Sequence, residues 1–135
     1  MALRLEIVTP EKEIFSDEVD TCVLPGIDGE MGVLPSHAPL VTIITPGELS
    51  YTKDGETVFL AVGEGFIEVG SDGVSVMTDM AVDDEGIDEE AVEKALQSAK
   101  EALELKSTDE EIAAVQASIQ KSLAQLKVKR RRRRV

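Results

Sequence analysis

The stretch Leu24-Pro25-Gly26-Ile27-Asp28-Gly29-Glu30-Met31-Gly32-Val33-Leu34-Pro35-Ser36-His37-Ala38-Pro39-Leu40 decides how this chain is read. Its seventeen residues hold three glycines, three prolines and the only histidine. Glycine reaches backbone angles closed to other residues, and proline fixes φ and removes an N–H donor. Such density reads as a shaped surface loop, and shaped loops on rigid scaffolds carry function.

On both sides of it the pattern is that of strands. Leu3, Leu5 and Ile7 alternate with Arg4 and Glu6, the period of a half-buried strand. Val19, Thr21 and Val23 alternate with Asp20 and Cys22 in the next. Val41 to Ile44 is a short run closed by Thr45-Pro46-Gly47. Leu49 and Tyr51 lead into Lys53-Asp54-Gly55-Glu56, and Val58 to Val62 follow. Asp-Gly between two β-rich runs predicts a hairpin with a type I′ turn, which needs positive φ at both central residues. Phe66 to Val69 and Val74 to Met77 flank a second turn at Gly70-Ser71-Asp72-Gly73. Short strands with turn signals at this spacing predict a β-sandwich or barrel.

After Gly86 no Gly or Pro occurs, and the period changes. Val92, Ala95, Leu96, Ala99, Ala102 and Leu103 share one helix face, with Asp88 as N-cap and Glu89 and Glu90 at the positive end of the dipole. Lys106-Ser107-Thr108-Asp109 interrupts the stripe, and Thr108 with Glu111 fits a capping box. The second helix has Ile112, Val115, Ile119, Leu123 and Leu126 as its apolar positions. Two helices with so short a break predict an antiparallel hairpin. Its stripes are narrow and rich in alanine, so it must pack on the β domain, on a partner, or on each in turn.

The 135 residues make one domain, or a small domain with an appendage. With no Trp, one Tyr and three Phe, the core must be aliphatic. The single Cys22 forms no internal disulfide and fits a reducing compartment. No apolar run reaches the roughly 18 residues of a membrane span, and the first residues do not read as a signal peptide. The net charge of −13 is uneven. Lys127, Lys129 and Arg130, Arg131, Arg132, Arg133 and Arg134 carry half of the 14 basic residues, so the first 126 residues have a net charge of −20. The body repels nucleic acid and anionic lipid. The basic end either binds an acidic surface or is a disordered, solubilising tail.

Catalytic patterns are absent from the sequence. There is no Gly-x-x-x-x-Gly-Lys-Ser/Thr phosphate loop, and Gly63-x-Gly65 lacks the third glycine of a dinucleotide fingerprint. His37 sits between prolines without a nucleophile signature, which favours a packing or interface role. Asp83-Asp84-Glu85-Gly86 lacks the alternation of a calcium loop. No enzyme activity, cofactor or metal is expected.

Four motifs in order resemble one family, the epsilon subunit of bacterial and chloroplast F-type ATP synthases. They are Pro25 to Leu40, Pro46-Gly47, Gly65-Phe66-Ile67-Glu68-Val69, and Val74 to Ala81 with Asp79, followed by the helical hairpin. The resemblance spans the whole chain. It implies an α+β fold: an antiparallel β-sandwich of about ten strands over residues 1–84, then a two-helix regulatory hairpin with a basic tail over 85–135. It implies a non-catalytic rotor subunit of a proton-translocating enzyme, held at the cytoplasmic face of the bacterial plasma membrane by its partners. Those partners are the gamma subunit, the polar loops of the c-ring and, when the helices extend, the catalytic alpha and beta subunits. The helices would thereby regulate ATP hydrolysis. Glu30 and Met31 match the loop facing the c-ring, and His37, Ala38 and Pro39 match the loop at the gamma and c-ring junction. A stand-alone acidic binding module, with its tail on nucleic acid or anionic membrane, is the competing reading.

Two departures from the family pattern carry expectations. Ile87-Asp88-Glu89-Glu90-Ala91-Val92 stands where many bacterial members have [Ile/Leu]-Asp-x-x-Arg-Ala, a motif that binds regulatory ATP. Without that guanidinium, and beside Glu89 and Glu90, a triphosphate meets repulsion. The second helix offers only Lys121 before the run from Lys127 to Arg134, which is expected to supply the basic contact to the beta subunit.

Overall fold

The computed structural model describes residues 3–35, 38–71, 73–105 and 108–133, with side chains up to Arg131 in the last helix. Ten strands occur among these residues: β1 (Leu3–Val8), β2 (Glu13–Val19), β3 (Thr21–Gly26), β4 (Gly29–Val33), β5 (Leu40–Ile44), β6 (Gly47–Lys53), β7 (Glu56–Val62), β8 (Gly65–Val69), β9 (Gly73–Thr78) and β10 (Ala81–Asp83). A 3-10 turn (Asp84–Gly86) leads to helices α1 (Glu89–Leu105) and α2 (Asp109–Arg133).

The strands form one continuous sheet in the order β10-β7-β6-β3-β5-β8-β9-β1-β2, with β4 also on β3. The sheet folds over at β3. That strand pairs with β6 through Thr21, Cys22 and Val23, then with β5 at Gly26 and Ile44. Pro25 stands where β3 leaves one layer for the other. Its missing N–H leaves no donor stranded there, and its carbonyl accepts from Thr45 N at 2.9 Å. The glycine- and proline-rich stretch is therefore only partly a loop. Its first half is the β3–β4 hairpin, turned at Ile27 and Asp28, with Gly29 at φ 118°.

Between the layers lies an aliphatic core that includes Leu3, Leu5, Ile7, Leu24, Ile44, Leu49, Ile67 and Val76. At the other side the layers are clipped together by the Lys53–Asp17 ion pair and by Phe15 and Tyr51, whose ring centroids are 4.5 Å apart. The hydrogen bond from Lys53 holds the Asp17 carboxyl below its ordinary pKa.

Two details differ from the sequence expectation. The run Val19 to Val23 is not one strand. The chain turns a corner at Asp20, Val19 ends β2 facing inward, and on β3 it is Cys22 and Leu24 that are buried. A break of one residue exchanges the two faces of a strand, which simple alternation cannot signal. The ladders are antiparallel except β1 with β9, which is parallel. Only strands joined by a tight turn must run antiparallel, and these two are far apart in sequence. The Asp54-Gly55 hairpin forms as expected, with φ of 51° and 82°. At the second turn Gly70 N donates to Gly73 O, and Asp72 lies outside the described residues.

The caps are those expected. Asp88 Oδ1 accepts from Ala91 N at 3.2 Å, and Thr108 Oγ1 accepts from Glu111 N at 3.1 Å. The apolar face of α2 is different. Leu126 is buried as expected, but Leu123 is 41% exposed, whereas Ser122, Ala124 and Val128 are buried. Helix α1 packs on α2, and α2 lies along β6 and β7. The C-terminal half of α2 is thus covered on two sides, so its buried positions do not follow one stripe. The basic run continues the helix to Arg133 and is not a disordered tail over that length. Lys and Arg are good helix formers, and cations suit the negative end of a helix.

Burial pushes the Cys22 thiol up to about 12. At pH 8 its thiolate fraction falls roughly a thousandfold below that of an exposed cysteine. A disulfide reagent should therefore label the protein only as it unfolds; rapid labelling of the native protein would show that β3 is open.

Candidate docking surface

The strands that fill the core also present an apolar outer face. On β8 the side chains of Ile67 and Val69 point inward and Phe66 and Glu68 outward. On β9 Val74, Val76 and Thr78 are buried while Met77 is exposed. Cross-strand register places Ile43 opposite Phe66, Phe66 opposite Met77, and Met77 opposite Val8. Ile27, in the β3–β4 turn, donates its N–H to Ile43 O at 3.0 Å and extends the row. These five are 56% (Ile27), 46% (Ile43), 57% (Phe66), 44% (Met77) and 36% (Val8) exposed. With strands about 4.8 Å apart, the row runs about 19 Å. Glu13 of β2, paired with Val8, ends it, and Glu68, Ser75 and Glu6 line one flank. A contiguous apolar strip with a polar rim is the form of a protein–protein contact. A shallow groove lined by Ile43, Thr45, Pro46, Glu64 and Phe66 continues it.

The residues singled out from the sequence fall around this strip. Glu30 is exposed on β4, paired with Pro25, while Met31 is half-buried against the core. Ala38 and Pro39 are exposed and lead into β5. Strands β4 and β5 both neighbour β3 but share no ladder among the described residues, so these two groups form one surface only through β3. His37 and Arg134 lie outside the described residues. The strip itself is missed by a reading that looks for one polar face per strand. Its signal was present, since Val41 to Ile44, Phe66-Ile67 and Val76-Met77 are apolar on both faces.

A polar knot fixes the strip. Thr78 is buried, and its Oγ1 donates to Glu64 O at 3.0 Å and accepts from Gly63 N at 3.2 Å. Asp79 Oδ1 accepts from Glu64 N at 3.0 Å. The tight Gly63-Glu64-Gly65 turn is thus a packing device. Asp79 also pairs with Lys121 of α2 at 2.5 Å, which ties the knot to the helices.

The basic residues on α2 are engaged by the chain itself. Arg131 makes a two-pronged contact to Glu48 on β6 (Nε to Oε2 2.7 Å, Nη2 to Oε1 2.6 Å), and its guanidinium lies 4.5 Å over the Phe59 ring. Arg130 reaches Glu89 at 3.0 Å and Glu93 at 2.7 Å on α1. Lys129 Nζ donates to Asp84 O at 3.1 Å. Lys127 is exposed. Arg132 and Arg133 continue the helix, but their side chains are outside the description. Between β7, the 3-10 turn and α2 there is a cleft of about 680 Å³ lined by Glu56, Phe59, Asp83, Glu85 and Arg131 among others. Among the described residues no group of carboxylate, cysteine or histidine side chains is placed to hold a metal ion.

Known proteins share this arrangement. The family described as "ATP synthase, Delta/Epsilon chain, beta-sandwich domain" matches residues 2–84, and "ATP synthase, Delta/Epsilon chain, long alpha-helix domain" matches residues 85–130. The ATP synthase epsilon chain of Herpetosiphon aurantiacus is 36% identical over 133 residues, covering 98% of each chain. That of Dehalococcoides mccartyi is 41% identical over 137 residues, covering 98% of this chain and 95% of the relative. Among solved structures, a chain of the Euglena gracilis mitochondrial ATP synthase (OSCP/F1/c-ring) superimposes with a TM-score of 0.78 at 25% identity, over 93% of this chain and 79% of that one. A chain of the Tetrahymena thermophila mitochondrial ATP synthase central stalk and c-ring shares the fold, with a TM-score of 0.68 at 13% identity over 96% and 97%. With both halves matched in order and the full-length relatives aligned end to end, the chain belongs to the epsilon-chain family of ATP synthases, whose members are stalk subunits and not catalytic ones.

Proposed function

We propose that this chain is a rotor part of a proton-translocating F-type ATP synthase. In this reading the strip from Ile27 to Val8 docks on the gamma subunit. Glu30 and Met31 face the polar loops of the c-ring, and His37, Ala38 and Pro39 the junction of gamma with the c-ring. The chain couples ion flow to rotation, sits at the cytoplasmic face of the bacterial plasma membrane through its partners, and regulates ATP hydrolysis through α1 and α2. The observation that carries the reading is the exposed apolar row on the rigid β5-β8-β9-β1 face. A rotor contact must transmit torque, and side chains on paired strands do so with little loss of entropy on docking.

Co-expression with the gamma subunit tests it. A stable complex is expected. A chain that runs alone, and binds DNA or anionic vesicles through its basic end, would be a stand-alone module. That alternative needs free cations, whereas Lys129, Arg130 and Arg131 are held by acceptors of the chain itself.

Regulatory ATP is not part of the proposal. Asp88 caps α1, Ala91 is exposed where a guanidinium is wanted, and Arg130 is engaged by Glu89 and Glu93. Calorimetry with ATP and magnesium should give no heat of binding; micromolar affinity would overturn this.

A further inference from the structure

The apolar strip is bordered by charge of one sign. Glu13 stands at its end, and Glu6 and Glu68 line one flank. Glu64, two residues before Phe66, lies on the opposite flank. Among the described residues no cation pairs with any of these four carboxylates. The only bases in residues 1–84 are Arg4, Lys12 and Lys53. Arg4 donates to Ser16, and Lys53 is held by Asp17. Lys12 lies in the turn between β1 and β2 and lines a different groove.

At Glu64 the face has shape as well as charge. The groove lined by Ile43, Thr45, Pro46 and Phe66 measures about 400 Å³, and Glu64 is its one charged lining residue. The backbone of Glu64 is fixed. Its N–H donates to Asp79 Oδ1, and its carbonyl accepts from Thr78 Oγ1 and Asp79 N, each at 3.0 Å. Lys121, which reaches this turn from α2, is taken by Asp79. The exposed Glu64 carboxylate therefore projects from a rigid base with no cation of the chain committed to it. An apolar trough with a single carboxylate suits a long cationic side chain laid along it. The methylene stem covers Ile43 and Pro46, and the head meets Glu64. The exposed ring of Phe66 favours a guanidinium over an ammonium, because the guanidinium is planar, less strongly hydrated and stacks on aromatic faces. The groove is too shallow to enclose a small molecule.

We infer that the groove beside Phe66 seats an arginine of the gamma subunit, paired with Glu64, and that the gamma surface around it is basic where it meets Glu6, Glu13 and Glu68. The inference deepens the docking reading and rests on it. The apolar row supplies contact area, which is compatible with many positions along the strip. The arginine supplies register, because it meets Glu64 in one position only. The acidic border also draws a basic partner in and raises the rate of encounter. One arginine answers one carboxylate, so a glutamate introduced at Phe66 or Met77 finds no cation of its own. A second copy of this chain does not fit the same face. A two-fold contact sets identical surfaces against each other, so these carboxylates would meet carboxylates.

Titration of an alpha–beta–gamma assembly with the full-length subunit tests the arginine separately from the strip. Glu64→Gln should weaken binding about tenfold and Glu64→Lys about a hundredfold. Melting temperatures should not change, because the backbone of Glu64 and not its side chain makes the hydrogen bonds of the turn. Affinity of the parent should fall as salt rises, and less steeply for Glu64→Gln. Glu104→Lys, the same charge change at an exposed position of α1, should bind within about twofold of the parent. In the assembled complexes phenylglyoxal, which modifies arginine, should label one gamma arginine about tenfold faster with Glu64→Gln than with the parent, as read by mass spectrometry. Binding of Glu64→Lys within about threefold of the parent, or identical labelling of every gamma arginine in the two complexes, would overturn the arginine. If the Phe66→Glu, Met77→Glu double variant still failed to bind in that case, the docking face would stand without it; if the double variant bound as well, the docking reading itself would fall. Dimers of the isolated subunit that Phe66→Glu dissociates would overturn the choice of occupant.

Discussion

Glutamate at both Phe66 and Met77 should leave a folded protein that no longer co-purifies with the gamma subunit. The two side chains are opposite one another on β8 and β9 and are 57% and 44% exposed, so the fold depends little on them. Two like charges facing across a ladder cost about 1 kcal/mol or less, and the melting temperature should fall by only a few degrees. At an interface the balance is different. Each carboxylate would have to be desolvated against an apolar surface with no cation provided for it. The loss of two central apolar anchors adds to that, and together they should weaken association by about a thousandfold or more. Glu68→Gln on the flank should change affinity less than about threefold, because rim positions stay wet. Binding of the Phe66→Glu, Met77→Glu double variant within threefold of the parent would move the docking surface elsewhere. The β3–β4 hairpin would then be the next place to look.

The sequence is most informative where one residue type has one structural use. Asp54-Gly55 could only be a tight hairpin, and Asp88 and Thr108 stand where helix N-termini leave donors unsatisfied. It is least informative where two demands fall on one segment. The glycine- and proline-rich stretch reads as a loop because strands rarely contain such residues. Yet Pro25 and Gly26 are there because β3 must change layers at that point. Strand β5 and the start of β8 are apolar on both faces, one for the core and one for the outside, which defeats a reading by alternation. Leu123 was expected inside and is outside, since α2 is covered by α1 on one side and by β6 and β7 on another. The ionic contacts of Arg130 and Arg131 bridge 37 to 83 residues of sequence, a pairing that local pattern does not encode. Composition shows that the basic run is unusual; only the tertiary fold shows which carboxylates it meets.

Gly65→Ala should be among the most destabilising single substitutions in the sandwich, though it adds one methyl group. Gly65 is paired on both sides, with Ile44 on β5 and with Thr78 on β9. A Cβ there would overlap Met77 O and stand 2.8 Å from both Met77 C and Thr78 Cα. These are backbone atoms of the neighbouring strand, so no side chain can rotate away. Relief requires β8 and β9 to separate, which breaks the Thr78 hydrogen bond to Glu64 O and shifts Asp79 from Lys121. The cost should be about 3 kcal/mol or more, a large share of the 5–15 kcal/mol that holds a domain of this kind together. Thermal melts should show a fall of about 10 °C or more. Two other glycines separate the causes. At Gly55 a Cβ meets nothing within 4 Å, but φ is 82°, so Gly55→Ala should cost about 1–2 kcal/mol from backbone strain alone. At Gly32 a Cβ also meets nothing, so Gly32→Ala should be near neutral. If Gly65→Ala melts with Gly32→Ala, the β8–β9 contact is looser than the structure has it, and the row of Ile43, Phe66 and Met77 is not the rigid face that torque transmission requires. If it melts below Gly55→Ala by the expected margin, close backbone packing rather than turn geometry sets the rigidity of the docking face.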